Sequence, residues 1–104
     1  MTKHSWHDIE LLTILAERPL KERLALALEK AGLSFSISEG PAESFGSLAV
    51  SDWADEQIRI EILGDFETVN TFATAIADQY FAHHHIVLYC RTVRVLRPEK
   101  FARG

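Results

Sequence analysis

Cysteine, methionine and proline are scarce in this chain of 104 residues: one Cys, one Met and three Pro. With Cys90 alone no disulfide can close within the chain, and nothing points to an oxidising compartment. Cys90 lies in an apolar run, where a packed thiol is expected. Long apolar stretches are also missing. No segment reaches the roughly 20 apolar residues of a membrane span. No charged, apolar and small-residue sequence opens the chain as a signal peptide would, so a cytoplasmic location is expected. Positive charge is the third shortage, with 11 Lys and Arg against 15 Asp and Glu and a net charge of −4. Bulk attraction to nucleic acid or an anionic membrane is therefore not expected. An anion held by this chain must sit on a local basic cluster working against the overall field. That means a small site.

What remains is the make-up of an ordinary folded domain, taken here as one unit over residues 1–104. A chain of this size buries about two-thirds of its unfolded surface, enough for one two-layer core. Residues 1–8 are polar and read as a loose leader. "IELLTILAE" (9–17) is apolar on both faces, as in an interior strand covered on two sides. Arg18-Pro19 ends it, and proline suits a helix start. "PLKERLALALEKAG" (19–32) is a helix with Leu20, Leu24, Ala27, Leu28 and Ala31 on one stripe and Gly32 as its stop.

"LSFSIS" (33–38) alternates as a half-exposed strand does, and residues 39–56 form the longest stretch without periodicity. "QIRIEIL" (57–63) alternates again, Gly64-Asp65 turns the chain, and Asp65 can cap the next helix. That second helix, 66–82, places Phe66, Val69, Phe72, Ala73, Ile76 and Tyr80 on one stripe. Three histidines, 83–85, close it, and a last strand opens at Ile86.

Strand, helix, strand, strand, helix, strand is the α+β, ferredoxin-like βαββαβ plan: a four-stranded antiparallel sheet with both helices on one face. Such a fold leaves the other sheet face bare. Here that face carries apolar residues from the first and last strands, which invites self-association. Arg59 and Glu61, between isoleucines of an interior strand, would be costly in a dry interface unless paired.

The last strand raises a further question. Arginines appear at 91, 94 and 97, just before Pro98, with little acid beside them. Planar guanidinium forks suit small oxyanions. Positions 91 and 94 point to opposite sides of a regular strand, as do 94 and 97, so the three do not converge on one anion without a bulge.

Together these stretches resemble a known family. "QIRIEILGDFE" is similar to the third strand and turn of PII signalling proteins, "GLSFSIS" to their second strand leading into a T-loop, and "TVRVLRPEKF" to their last strand. "IADQYFAHHHIVLYC" and "VLRPEKF" resemble most the PII-like proteins associated with carboxysomes and bicarbonate transport. The resemblance implies a homotrimer with sheets facing inward, a non-enzymatic role, and adenine-nucleotide sites in clefts between subunits. It implies ADP or AMP as ligand, with bicarbonate beside it, and a bicarbonate transporter or carboxysome-related protein as partner.

Carried over, Arg97 matches a phosphate-binding arginine and Lys100 the next basic residue. Ser36 matches a hydroxyl on the second strand, Leu63 a residue beside the base or ribose, and Gly46 a T-loop glycine near the phosphates. His85 stands where a lysine serves the nitrogen regulators. The T-loop-like segment 39–56 lacks the tyrosine that is uridylylated in many of those regulators, and a single cysteine rules out the paired-cysteine tail of the transporter-associated group. Trp53 and Phe45 in this segment are candidate anchors for a partner.

Two other classes fit the same element order. One is a dimeric ferredoxin-like oxygenase or isomerase, which would need a polar cavity between sheet and helices. The other is a trimeric metal-binding protein of the CutA kind, using the histidines at 83–85. Adjacent histidines point in different directions, so one subunit offers few nitrogens to one metal.

Overall fold

The computed structural model describes residues 4–48 and 56–100. Four strands form one sheet: β1 (His7–Glu17), β2 (Ser34–Pro41), β3 (Glu56–Gly64) and β4 (Ile86–Val95), in the order β2-β3-β1-β4, each pair antiparallel. Helices α1 (Lys21–Ala31) and α2 (Phe66–Tyr80) cover one face. This is the expected βαββαβ plan.

The core follows from the period of two along each strand. Leu12, Ile14 and Ala16 of β1, with Ile58, Ile60 and Ile62 of β3, point at the helices and are buried. Leu20, Leu24 and Leu28 meet them from the α1 side, and Val69, Phe72, Ile76 and Tyr80 from α2. Pro19 sits in a 3₁₀ turn, Arg18–Leu20, that leads into α1. Gly32 ends α1 at φ 71°, where the N–H of Leu33 reaches back to the Leu28 carbonyl at 3.1 Å. Asp65 caps α2, its two carboxylate oxygens accepting from the Thr68 N–H and hydroxyl, each at 2.8 Å. Beside α1, Glu39 of β2 accepts from Arg18 at 2.9 Å and from Lys21. These bonds, Lys21 first, hold its carboxyl below the ordinary value of 4.5.

Four expectations need correction. β1 begins at His7, because His7 and Asp8 pair with Val95 and Arg94, so the polar leader is shorter than residues 1–8. β2 runs on through Gly40 and Pro41, and a 3₁₀ segment, Ala42–Leu48, comes after it. Proline is tolerated there because β2 is an edge strand. Phe66, placed by its helical angle on the buried stripe, is 65% exposed. Cys90 is exposed too, although it shares the helix-facing side of β4 with Ile86 and Leu88. The last two have one cause: the first turn of α2 does not close over the far half of β4, which is the other edge strand.

Candidate functional site

The face of the sheet away from the helices carries the side chains of interest. The β2–β3 register sets Ser34 opposite Leu63, Ser36 opposite Glu61 and Ser38 opposite Arg59. The β1–β3 register sets Leu11 beside Leu63. Over this floor opens a cleft of about 260 Å³, lined by Leu11, Ser34, Phe35, Ser36, Glu61, Leu63 and Lys100.

Lys100 reaches the cleft from the opposite edge of the sheet. Pro98 lacks the N–H that a ladder needs, so strand pairing stops, and Pro98–Lys100 forms a 3₁₀ turn. The Lys100 N–H donates to the Arg97 carbonyl at 3.4 Å, and the three-residue period of such a turn stacks position 97 under position 100. Arg97 and Lys100 are both exposed. Chemically the cleft offers two leucines as an apolar platform, serine hydroxyls that donate and accept, one carboxylate acceptor and one ammonium. That combination suits a flat ring with a polar, anionic appendage.

Three of the six residues expected in a nucleotide site, Ser36, Leu63 and Lys100, therefore meet in one cleft. Arg97 lies beside it on the same turn. Gly46 and His85 do not join them. Gly46 lies beyond Pro41, which pairs with Glu56, and His85 precedes Ile86, which pairs with Ala16. Leu11 and Ala16 are five residues apart on β1, so His85 sits about 17 Å from the cleft along the sheet, whereas the segment before Gly46 folds back until Phe45 meets Arg59. Gly46 has φ 59° and ψ −135°, a conformation that a side chain disfavours. His85 is exposed. His84 packs edge-on to Tyr80, ring centroids 5.4 Å apart, and among the described residues no three His, Cys, Asp or Glu side chains gather around one point.

The arginines separate as strand geometry requires. Arg91 pairs with Leu11 on the outer face, whereas Arg94 lies on the helix side, its guanidinium 5.5 Å above the Trp6 ring. Glu61, Leu11 and Ser34 were not anticipated as cleft residues. The alternation of "LSFSIS" against "QIRIEIL" held the signal, since Ser36 and Glu61 occupy the same face once the two runs pair. Phe45, expected as an exposed anchor, is half-buried, with the Arg59 guanidinium 5.7 Å over its ring. Trp53 lies outside the described residues.

No family model matches the chain, and no curated protein matches it. Solved structures do. A PII-like signalling protein of Thermus thermophilus is 26% identical over 93% of this chain and 98% of its own, with a TM-score of 0.76. CPII of Thiomonas intermedia, bound to ADP, AMP and acetate, is 24% identical over 95% and 99%, with a TM-score of 0.81. The same protein bound to ADP and bicarbonate is 25% identical over 93% and 97%, with a TM-score of 0.72. In strand order, helix placement and extent, this chain resembles the PII-like signalling proteins.

Proposed function

We propose that this chain is a non-enzymatic, PII-like regulator of the cytoplasm that binds ADP or AMP, with bicarbonate as a companion ligand. The observation that carries this reading is the split of the expected residues into two groups. Ser36, Leu63 and Lys100 line one cleft, with Arg97 beside it, while Gly46, beyond edge strand β2, and His85, before edge strand β4, stay outside it. Residues that do not meet on one chain make a whole site only when a neighbouring copy supplies those that are missing. Three copies with their bare sheet faces turned inward would do this, and Val87 and Tyr89, each more than two-fifths exposed on that face, give them an apolar surface to bury.

Bicarbonate enters from CPII, which has been solved with ADP and bicarbonate together. Segment 39–56 takes the part of the T-loop, and a bicarbonate transporter or carboxysome-related protein is the partner class it would meet. That role ties the chain to inorganic carbon metabolism.

The test is titration calorimetry with ADP and AMP, with and without bicarbonate, on protein whose mass in solution has been measured. A trimer that binds nucleotide, with bicarbonate and nucleotide strengthening each other reciprocally, is expected. A monomer, or a dimer indifferent to both nucleotides, overturns the reading.

A further inference from the structure

The cleft as lined is electrically neutral, since Glu61 offsets Lys100. A phosphate or bicarbonate placed over Glu61 needs more cation than that. Arg97 supplies one charge from the 3₁₀ turn. Two further cations flank the floor on the same face: Arg91 on β4, paired with Leu11, and Arg59 on β3, two residues from Glu61 and one pair along from Ser36; of these Arg59 is the one tied to the segment after β2. Two strand residues span about 7 Å, which an extended arginine side chain covers.

Arg59 does not now lean toward the cleft. Its guanidinium carbon lies 5.7 Å above the Phe45 ring. Phe45 is held there by a tight local fold. The Ser44 hydroxyl donates to the Pro41 carbonyl at 2.8 Å, and Gly40 leaves the room this needs, because a Cβ there would stand 2.8 Å from Ser44 Oγ and 3.8 Å from Phe45 Cε1. Gly46, the next residue, holds backbone angles that favour glycine, and among the described residues nothing lies within 4 Å of where a Cβ would be.

Resting on the nucleotide reading above, we infer that Arg59 is a further anion-binding residue of the cleft, shared between the Phe45 ring and the bound oxyanion. A cation–π contact at an exposed site is weaker than the paired, charge-assisted hydrogen bonds of a guanidinium to an oxyanion. An anion in the cleft therefore draws Arg59 away and releases Phe45, and with it the 42–48 segment. A ligand that offers Arg59 nothing shifts nothing. The two contacts compete, so weakening one must strengthen the other.

That competition gives variants of opposite sign. In calorimetry with ADP, Phe45→Leu is expected to bind about threefold more tightly than the parent, and Arg59→Gln about tenfold more weakly. Adenosine, which lacks a phosphate, should bind both variants as it binds the parent. A second measurement tracks the Arg59 Nε–H signal by NMR, shifted in the free protein by the Phe45 ring current. Inorganic pyrophosphate should move it and adenosine should not. If Phe45→Leu and Arg59→Gln both weaken ADP, or if the signal stays put under saturating pyrophosphate, Arg59 is only a support for the loop. Failure of the parent to bind ADP at all would instead remove the nucleotide reading, and the pyrophosphate experiment would then decide the role of Arg59 by itself.

Discussion

Glu39 is exposed, yet two cations converge on it, Arg18 from the turn before α1 and Lys21 from the first position of α1. Lys21 and then Arg18 stabilise its ionised form, so its carboxyl gives up a proton more readily in the folded chain than in the unfolded one. This fixes the sign of the pH effect. Above the ordinary value of 4.5 the stabilisation is fully present, and it fades as pH falls through the lowered folded value, where the carboxylate is protonated in both states. Glu39→Gln should therefore melt below the parent at pH 6, with the gap narrowing as pH falls below 4.5. Solvent screening keeps the effect small. A gap that stays constant in thermal melts as pH falls from 6 to well below 4.5 would mean that the two cations do not act on this carboxylate.

Asp65 shows how one side chain decides where a helix starts. Two of its hydrogen bonds satisfy groups of the first turn of α2, whose Thr and Asn residues give it modest intrinsic propensity. Asp65→Ala should cost about 1 kcal/mol, read from the midpoint of urea unfolding, whereas Asp65→Asn should keep most of the stability. Equal losses in the two variants would place the effect in charge rather than in capping. The stop of α1 and the cap of α2 were legible beforehand, because Gly32 and Asp65 act within a few residues of themselves. What could not be read depends on partners distant in sequence. His7 joins β1 only because Val95 lies opposite it, and Gly40-Pro41, a turn by its residue types, stays in β2 because Glu56 and Gln57 pair with it. Phe66 has the right helical angle, but it stays exposed over small clefts that it shares with Glu10, Cys90 and Thr92 of the sheet. The cleft was half legible for the same reason: single residue types mark Ser36, Leu63 and Lys100, but register alone reveals that Glu61 shares a floor with Ser36 while His85 stands at the far end.

The outer sheet face is more self-contained than its apolar sequence implied. Thr13, Leu15 and Gln57 are already buried in a single copy, so the exposed apolar surface of that face lies along β4, at Val87 and Tyr89. This places the demand for a neighbour on one edge strand and makes assembly separable from folding. Val87 faces water in the single chain at 44% exposure, so Val87→Glu costs the isolated fold little. In a trimer with inward sheets, the same change would bury an unpaired charge three times over. The variant should keep its far-ultraviolet dichroism, run as a monomer by light scattering and lose ADP binding, because no neighbour brings Gly46 and His85 to the cleft. Leu26→Glu, at a still more exposed apolar position on α1, is the control and should remain assembled and competent. If Val87→Glu stays trimeric and binds ADP as the parent does, the sheets do not meet around an axis.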